Sequence, residues 1–433
     1  MNILVVGGGG REHALVWKIK ESPLCTKIWC APGNVGIRTM AETVPSAAGT
    51  IPELVSWAGK ERIDLMVVGP EAPLTEGLAD ACRAEGILVF GPSQAAARIE
   101  SSKIFARRLM QKYNIPSPGF DTFDTSDAAK KYVESLVGQG KQVVVKADGL
   151  AAGKGAIVTS TSQEAFDAIE LCMEKKAFGS AGARVVIEER LQGPELSILA
   201  ITDGKHLVIL PPAQDHKPIG EGDTGPNTGG MGAYSPVPLV DETLLEVITE
   251  TILQPTIRGM EKEGSPYSGV LYAGLMVCEG KPYVIEFNCR FGDPETQAVL
   301  PVIQEDLLPL LLDAAMGELQ EDRVIASGGC AMCVVMASRG YPDAYEKGKA
   351  IQGLDAVAAE YADRACVFHA GTAEKEGKIV TSGGRVLGVT GWGNTFDAAC
   401  AYAYEAVNRI HFEGAYSRKD IGYRVRGSRG IGK

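Results

Sequence analysis

Short apolar runs alternate with amphipathic stretches along the first hundred residues. The runs cover residues 3–6, 27–30, 65–68 and 87–90, and each stops at a turn rich in Gly or Pro. Helical stretches lie between them, which is the pattern of parallel strands joined by crossover helices. We therefore predict an N-terminal parallel βαβ sheet domain, with ligands at the loops outside the carboxyl ends of its strands.

Two further patterns follow. After a helical stretch at 101–113, apolar runs at 142–146, 156–159 and 184–189 with a helix at 162–175 predict an antiparallel α+β lobe. Further strands enclose a polar loop at 213–235, and a loop of that length is usually functional or disordered. From about residue 328, strands and a helix at 395–410 predict a small C-terminal α+β domain, and we expect the basic end at 418–433 to fray.

Length and composition narrow the function. A chain of 433 residues corresponds to about three domains. Its 52 Gly accompany 45% hydrophobic residues, so the Gly excess indicates tight turns or close approach to a ligand rather than disorder. A net charge of −11 argues against a nucleic-acid partner, which needs a basic surface, but it leaves room for a small anionic substrate.

The cysteines and the N-terminus indicate the compartment. Only Cys330 and Cys333 have CxxC spacing, and no second pair completes a zinc ribbon, so we predict free thiols. The chain starts on a strand without a basic, then apolar, leader, and no apolar run approaches about 18 residues. We predict a reduced, cytoplasmic protein with no membrane partner.

Two Gly-rich segments are candidates for phosphate binding. GGGGREH at 7–13 follows a strand and opens a helix, where free N–H groups favour anions. Glu12 stands where the dinucleotide fingerprint needs Gly, which weakens a dehydrogenase reading. KADGLAAGKG at 146–155 lies between two strands and differs from the Walker A motif at Asp148 and Gly155. The alternatives are a tight structural turn and an ordinary hairpin.

The segment IEFNCRFGDPET, residues 285–296, is the sharpest chemical signal. Glu286 and Asn288 are two apart in a predicted strand and therefore share a face, which Arg290 continues. A carboxylate and an amide oxygen suit Mg²⁺ held with phosphate oxygens, and the Arg suits a phosphate or carboxylate. The alternative is an amphipathic edge strand.

Two weaker segments add context. The acidic stretch from Glu188 to Glu195 follows a strand and could offer backbone groups to adenine and a carboxylate to ribose, although taken alone it is better explained as a solvated loop. The loop with Asp215, Lys217 and the run 223–232 could form an anion nest, and its alternative is a flexible linker.

In this order along the whole chain, the motifs resemble the phosphoribosylamine–glycine ligase family of the ATP-grasp superfamily. They run from GGGGREHAL, APGN, GPEAPL and FGPS through VVKADGLAAGKG, AQDHK and GPNTGGMGAYSP to IEFNCRFGDPETQ, FHAGT, GGRVLGV and RKDIG. The resemblance implies an N-terminal substrate domain at 1–102, an ATP-grasp domain at 103–325 with a mobile lobe at about 119–192, and a C-terminal domain at 326–433. It also implies ATP-dependent joining of glycine to 5-phosphoribosylamine through glycyl phosphate.

The resemblance also implies residue roles, with ATP as cosubstrate and Mg²⁺ or Mn²⁺ as cofactor. The expected catalytic residues are Arg290, Lys146 and Asp215, and the expected metal ligands are Glu286 and Asn288. The expected ATP-binding residues are Lys103, Lys146, Gly149, Gly153, Lys154, Gly155, Glu188, Glu189, Leu191 and Glu195. The expected substrate-binding residues are Gly9, Gly10, Arg11, Glu12, Asn34, Pro70, Glu71, Asp215, Lys217, Asn227, Thr228, Gly229, Met231, Arg290 and Gly292.

One departure and three alternatives remain open at this point. Many superfamily members carry a further metal-binding acid on the preceding strand, but residues 269–277 contain none, which leaves the number of metal ions open. The same chemistry could serve another carboxylate or amine. A dinucleotide-dependent oxidoreductase and a nucleotide-binding regulatory protein without catalysis are readings from other classes.

Overall fold

A computed structural model describes residues 1–45, 48–151 and 154–426. Its larger sheets are an N-terminal sheet, a lobe sheet, a central sheet and a C-terminal sheet. No helix in these three ranges combines the length and apolar composition needed to cross a membrane.

The N-terminal sheet is parallel throughout, which confirms the βαβ prediction. Its order is β3-β2-β1-β4-β5. The strands are β1 (Asn2–Gly7), β2 (Lys27–Pro32), β3 (Glu42–Thr43), β4 (Leu65–Val68) and β5 (Leu88–Phe90), and the helices are α1 (Gly10–Lys20), α2 (Ile51–Lys60), α3 (Glu71–Thr75), α4 (Leu78–Ala84) and α5 (Gln94–Ser101). Because parallel strands point the same way, the loops after β1, β2 and β4 meet at one edge of the sheet.

The lobe is an antiparallel sheet with two helices on one side, as the sequence predicts. After α6 (Lys103–Lys112), the lobe contains β6 (Phe120–Phe123), α7 (Ser126–Gly138), β7 (Val143–Ala147), β8 (Ala156–Val158), α8 (Ser162–Ile169) and β9 (Val185–Glu189). The sheet order is β6-β9-β7-β8. Apolar side chains of α7, α8 and the strands, among them Val133, Val145 and Ile187, form a hydrophobic core separate from the rest.

The central sheet carries the segment with Glu286. Its order is β17-β16-β10-β11-β18. The elements are β10 (Glu195–Thr202), β11 (Leu207–Ile209), α9 (Glu242–Ile248), α10 (Gln254–Lys262), β16 (Gly269–Cys278), β17 (Lys281–Asn288), α11 (Glu295–Val299), α12 (Leu307–Met316) and β18 (Arg323–Val324). Short π turns at Glu170–Glu174 and Thr249–Leu253 and 3-10 turns at Ile37–Thr39, Gly179–Ala183 and Leu300–Val302 complete these regions.

The polar segment 213–235 is not a simple loop. It contains four short strands, β12 (Gln214–Asp215), β13 (Pro218–Gly220), β14 (Thr224–Asn227) and β15 (Gly232–Ser235). β13 and β14 form a hairpin of their own, whereas β12 and β15 join the C-terminal sheet. Strands of two to four residues carry no readable alternation, so the sequence could not reveal them.

The C-terminal sheet has the order β12-β15-β19-β23-β20, with β24 also paired to β19. Its remaining elements are β19 (Cys330–Ser338), α13 (Leu354–Glu360), β20 (Ala365–His369), β21 (Thr372–Lys375), β22 (Lys378–Thr381), β23 (Arg385–Gly393), α14 (Phe396–Val407) and β24 (Ala415–Tyr416). Every residue of β19 is buried, and Cys330 and Cys333 are free thiols. An odd spacing puts these two thiols on opposite faces of the strand.

The expectation that the end of the chain frays is wrong for residues 418–426. Arg418 is fully buried, Ile421 and Val425 belong to the hydrophobic core, and the Ile421 N–H donates to the Tyr404 hydroxyl at 3.0 Å. The basic side chain is buried because acidic partners surround it, which composition alone does not show. Residues 427–433 lie outside the described part of the chain.

Candidate active site

Two adjoining cavities lie where the lobe, the central sheet and the N- and C-terminal regions meet. Their volumes are about 630 and about 350 Å³. Lys146, Glu188, Glu286, Asn288 and Arg290 line both of them. The shared wall therefore brings together the segments around 146, 188 and 286 that the sequence singled out separately.

Strand β17 presents Glu286 and Asn288 on this wall. Asn288 pairs with Tyr272 and Glu286 with Gly274, but the register then shifts so that Ile285 has no partner residue on β16. The carbonyl of this bulged residue accepts hydrogen bonds from Lys146 Nζ at 2.8 Å and Arg107 Nη2 at 2.6 Å. A bulge turns one backbone group out of the ladder, and here it anchors two buried cations.

Lys146, Glu188 and Arg107 form a buried ion cluster. Arg107 donates Nε–H to Glu188 Oε1 at 2.6 Å and Nη2–H to Oε2 at 2.8 Å, and Lys146 Nζ lies 2.9 Å from the same Oε2. Burial alone would raise the pKa of Glu188, but the charges of Arg107 and Lys146 outweigh burial and lower it. Burial lowers the pKa of Lys146. The Glu188 carboxylate therefore holds Lys146 in place.

Arg290 is a further cation of the shared wall. Its guanidinium lies 3.3 Å from Glu71, 3.4 Å from Glu100 and 3.3 Å from the Asn288 side-chain oxygen. Burial alone would lower the pKa of Arg290, yet the two carboxylates raise it. Glu100 is also buried and accepts the Cys289 N–H at 2.7 Å, so the loop after β17 is fixed from both sides.

Lys217 and Asp215 bring a second charged group to the larger cavity. Lys217 Nζ lies 2.7 Å from Glu195 Oε2 and 4.0 Å from Glu286 Oε1. Burial alone would lower the pKa of Lys217, but Glu195, Asp215 and Glu286 raise it well above its usual value. Burial raises the pKa of Asp215 to about 8, against the opposing charge of Lys217.

The Gly-rich loop of residues 148–155, called the flap here, is anchored by polar contacts. Asp148 Oδ1 accepts the Ser102 hydroxyl at 2.9 Å and the Ile104 N–H at 3.1 Å, and Arg184 lies 2.7 Å from Oδ2. Lys103 Nζ donates to the Gly149 carbonyl at 2.9 Å and Lys154 Nζ donates to the Pro342 carbonyl at 2.9 Å. Gly153 lies outside the described residues.

The start of α1 already faces carboxylates of the protein itself. Glu12 accepts the Gly9 N–H at 2.6 Å and the Arg11 Nε–H at 2.6 Å, and the Arg11 N–H points to Asp293 Oδ2 at 3.4 Å. A Cβ at Gly7 would lie 2.5 Å from the Glu12 side chain, so Gly is required there. Arg11, rather than the helix N-terminus, is the group from this loop that lines a cavity.

The predicted site residues divide into two groups. Those that line a cavity are Arg11, Glu71, Lys103, Lys146, Gly155, Glu188, Glu189, Leu191, Glu195, Asp215, Lys217, Asn227, Thr228, Gly229, Glu286, Asn288 and Arg290. Those that line neither cavity are Gly9, Gly10, Glu12, Asn34, Pro70, Gly149, Lys154, Met231 and Gly292. Their ligand-binding roles remain predictions.

Several residues of the second group make contacts within the protein instead of lining a cavity. The Asn34 amide donates to the carbonyls of Gly8 and His369, and its oxygen accepts the Ile37 N–H at 3.0 Å. Met231 is fully buried in the hydrophobic core. Pro70 is the cap residue before α3. These side chains join the domains or fill the core.

At Gly10 and Gly292, a neighbouring polar side chain lies close to where a Cβ atom would be. A Cβ at Gly10 would lie 2.5 Å from Gln297 Nε2, and one at Gly292 would lie 2.5 Å from Glu295 Oε2. Both glycines therefore let neighbouring polar side chains approach the backbone closely.

Sequence reasoning did not single out several charged residues that line the cavities, among them Arg107, Asp293 and Arg385. Arg107 lies on α6, Asp293 follows β17, and Arg385 begins β23 in the C-terminal sheet. Arg385 donates to the Asp293 carbonyl at 2.8 Å and to the Gly229 carbonyl at 2.6 Å. The motif GGRVLGV contains Arg385, but nothing in its spacing indicates a partner 92 residues away.

Glu286 and Asn288 can bind a divalent cation only together with oxygen atoms of a bound ligand. The described residues contain no group of three or more His, Cys, Asp or Glu arranged for a metal. Glu286 and Asn288 nonetheless offer hard oxygen donors on one face, with side chains that reach both cavities. Two protein oxygens completed by phosphate oxygens and water are a usual arrangement for Mg²⁺.

The chain matches known proteins along nearly its whole length. Residues 1–100, 101–296 and 331–424 match the N domain, the ATP-grasp (A) domain and the C domain of phosphoribosylglycinamide synthetase. The chain is 49% identical over 425 residues to phosphoribosylamine–glycine ligase of Brucella melitensis, covering 98% of each chain. It is 47% identical over 424 residues to the protein of that name from Rhodopirellula baltica, covering 97% of each.

A solved structure agrees with these relatives. The crystal structure of phosphoribosylamine–glycine ligase from Thermotoga maritima shares 35% identity and superposes with a TM-score of 0.83, covering 98% of this chain and all of that one. The three domain matches follow one another in the same order as the three regions whose residues form the cavities. The chain therefore belongs to the phosphoribosylglycinamide synthetase family.

Proposed function

We propose that the chain is an ATP-dependent ligase of purine biosynthesis that joins glycine to 5-phosphoribosylamine. The products are glycinamide ribonucleotide, ADP and phosphate. The observation that carries the proposal is the set of cations Lys146, Lys217 and Arg290 around Glu286 and Asn288 on one cavity wall. Relatives of nearly equal length whose names carry this activity support the choice of substrates.

The reaction has two chemical steps through glycyl phosphate. A glycine carboxylate oxygen bonds to the γ-phosphorus of ATP, the bond to the β-bridging oxygen breaks, and ADP leaves. The amine of phosphoribosylamine then attacks the carbonyl carbon, phosphate leaves, and the nitrogen loses a proton. Phosphoryl transfer depends mainly on positioning and charge neutralisation, so a wall of cations suits it better than a nucleophilic side chain.

ATP occupies the larger cavity in this proposal. The backbone of Glu189 and Leu191 contacts adenine, and Glu195 receives the ribose hydroxyls. The ATP phosphates lie where the two cavities adjoin, neutralised by Lys146, which lines both, and by Lys103, which lines the smaller cavity together with the flap. The Glu188 carboxylate, which Arg107 and Lys146 engage completely, acts by holding Lys146 rather than by contacting adenine.

The acceptor substrates meet the phosphates at Arg290 and Asp215. Arg290 holds the transferring phosphoryl group or the glycine carboxylate, because a guanidinium matches both geometrically. Asp215 accepts the proton of the attacking amine, and its pKa of about 8 suits proton transfer near neutral pH. Phosphoribosylamine lies in the smaller cavity beside Arg11 and Glu71.

Glu286 and Asn288 hold the divalent cation, Mg²⁺ or Mn²⁺, together with phosphate oxygens. Such a cation supplies additional charge neutralisation at the phosphates. Closure of the lobe at about 119–192 over the larger cavity protects glycyl phosphate from water. We place the reaction in the cytoplasm, where its small-molecule substrates are available.

The decisive experiment measures ADP release with freshly generated phosphoribosylamine. We expect release only when ATP, glycine and phosphoribosylamine are all present. ADP release with another amino acid at an equal rate would contradict glycine as the substrate. Release that another amine supports equally well would contradict phosphoribosylamine.

Glu286→Gln tests the site assignment in the same assay. The amide keeps the shape but removes the charge, and we expect turnover to fall by roughly 10²–10³-fold. Glu279→Gln, an exposed residue of the turn between β16 and β17, is the matched control and should keep full turnover. A folded Glu286→Gln protein with undiminished activity would overturn the assignment.

A further inference from the structure

The backbone of residues 214–217 turns alternate side chains to opposite sides. Asp215 and Lys217 line the larger cavity. His216 points the other way, is buried, and accepts the Gly422 N–H on Nε2 at 3.1 Å. Two adjacent groups of the cavity are thus tied to the end of the chain through the residue between them.

Asp223 extends this contact at the turn between β13 and β14. Its Oδ1 lies 2.9 Å from Arg418 Nη1 and 3.4 Å from His216 Nδ1. Its Oδ2 accepts the Tyr423 hydroxyl at 2.9 Å and a hydrogen bond from Arg424. One carboxylate of the hairpin therefore engages three side chains of the segment 416–424.

Arg418 is the centre of the cluster. Its guanidinium is fully buried, donates to Asp420 through Nε at 2.8 Å and Nη2 at 2.7 Å, and donates to the Pro218 carbonyl at 3.0 Å. Asp420 Oδ2 also accepts the Gly222 N–H at 2.8 Å. We call the set of His216, Asp223, Arg418 and Asp420 the clamp.

Apart from the clamp, the hairpin is held mainly by the same C-terminal segment: the Tyr416 hydroxyl donates to the Ile219 carbonyl at 2.8 Å, and the Lys419 N–H donates to Glu221 Oε1 at 3.2 Å. β13 and β14 form a two-stranded sheet, and residues 224–227 are exposed. An isolated hairpin is marginally stable in water, so external contacts decide its position. Lys217 lies directly before β13, and its Nζ is held among Glu195, Asp215 and Glu286 only if the backbone is fixed.

We infer that Arg418 and Asp223 are positioning residues for Lys217, acting through His216 and the hairpin from outside the cavities. The inference rests on the proposed function for the role of Lys217. It assigns a catalytic purpose to the last described segment of the chain, which contacts neither cavity.

Arg418→Met tests the inference. We expect kcat/KM for glycine to fall roughly 10- to 100-fold, the scale of displacing a reacting group by about 1 Å. The KM for ATP should change less than kcat/KM for glycine, because Glu195 alone among the proposed adenine and ribose contacts touches Lys217. Arg424→Met is the matched control: it removes a cation from the same Asp223, but from the solvent side, and should cost less than about threefold.

A double-mutant cycle separates positioning from general destabilisation. If Arg418 acts through Lys217, Arg418→Met should have almost no further effect on kcat/KM in a Lys217→Met background. Effects that multiply would contradict the inference. Should Arg418→Met fail to fold, Asp223→Asn and Arg418→Lys are measured in the same cycle, and Arg418→Lys should recover part of the lost activity.

Hydrogen exchange makes the test independent of the reaction. The clamp variants should raise amide exchange at 216–228 and leave the lobe strands β7 and β9 unchanged. Unchanged exchange at 216–228 would overturn the inference. If the unaltered protein releases no ADP with glycine and phosphoribosylamine, the proposed function fails, while the exchange result still decides whether the clamp fixes the hairpin.

Discussion

Two Gly-rich segments border the adjoining cavities, but they are held in different ways. The flap lines the smaller cavity, whereas the segment 213–235 lines mainly the larger one. The flap belongs to a lobe with its own hydrophobic core, and its described contacts with the rest of the chain are polar ones such as Asp148 with Ser102 and Lys154 with the Pro342 carbonyl. The segment 213–235 shares a sheet with β19 and is tied down by the buried Arg418. A high glycine content accompanies a cavity wall in both segments, although different contacts hold them.

The difference suits the tasks that we propose. The Lys154 contact is exposed and exchanges readily with water, so we expect the flap to separate from the rest of the chain without disrupting a core. Groups that act on the reacting atoms need fixed positions, and a fully paired buried cluster provides them.

Loss of the fixed cation should have the largest effect. Lys217→Met removes the positive charge beside Glu195 and Glu286, and we expect kcat/KM for glycine to fall by roughly 10²–10³-fold. Steady-state ADP release measures it. Lys205→Met, at an exposed lysine of the same domain, is the control and should be neutral. A loss of less than about threefold would mean that the clamped segment serves structure alone.

Loosening the flap should affect ATP binding more than turnover. Asp148→Ala leaves Ser102, Ile104 and Arg184 without their shared acceptor, and we expect KM for ATP to rise about 10-fold with kcat nearly unchanged. Initial rates over a range of ATP concentrations measure this. Asp124→Ala, exposed on the same lobe, provides the comparison. An equal fall in kcat would place the flap among the fixed elements.

A single flap contact should matter less. Lys154 is exposed, and Lys154→Ala removes one hydrogen bond to the Pro342 carbonyl, so KM for ATP should rise about threefold. The melting temperature should stay constant, as it should for Lys131→Ala, an exposed lysine of the same lobe. A large fall in melting temperature would show that this contact stabilises the closed arrangement at rest.

The smallest expected effect is the contribution of His216 to the pH dependence of the free energy of unfolding. Burial lowers the pKa of His216 below its usual 6.5, so below pH 6.5 the unfolded chain takes up a proton that the folded chain refuses. The free energy of unfolding should therefore decrease as the pH falls through this range. His216→Gln should reduce the slope by at most about 1.4 kcal/mol per pH unit.

Two other buried histidines also have a lower pKa in the folded chain than in the unfolded chain, and they provide the background to this pH dependence. Burial lowers the pKa of His13 to about 3 and of His369 to about 4. Their contribution is common to both proteins, so the difference between the two curves isolates His216. Denaturant titration at several pH values provides the measurement. Parallel curves would mean that His216 is protonated equally in the folded and unfolded chains.

The sequence predicted those parts of the site that depend on local rules. The two-residue spacing of Glu286 and Asn288 put both on one face, and the alternation of strands and helices predicted the N-terminal sheet. Arg107 and Arg385 were not predicted as site residues, because their partners are 81 and 92 residues away and no local sequence pattern indicates such a pairing. The domain boundaries at 102/103 and 325/326 remain predictions.

In the segment 213–235, the sequence did not predict the secondary structure. Its polar composition indicated a loop near ligands, but β12 and β15 become strands because β19 offers them a partner far along the chain. Met231, for which the resemblance implied substrate binding, is buried in the core, and its binding role remains a prediction.

The pairing of β15 with β19 sets a limit on how this protein can be divided. A gene segment that encodes residues 326–433 alone would leave β19, nine buried residues long, with a bare edge where Gly232 to Ser235 normally lie. Exposed apolar strand edges pair with other chains, so we expect such a fragment to aggregate rather than to fold as an independent domain. Recombination between relatives should therefore preserve parental combinations of 213–235 with the C-terminal sheet, although more than 90 residues separate β15 from β19.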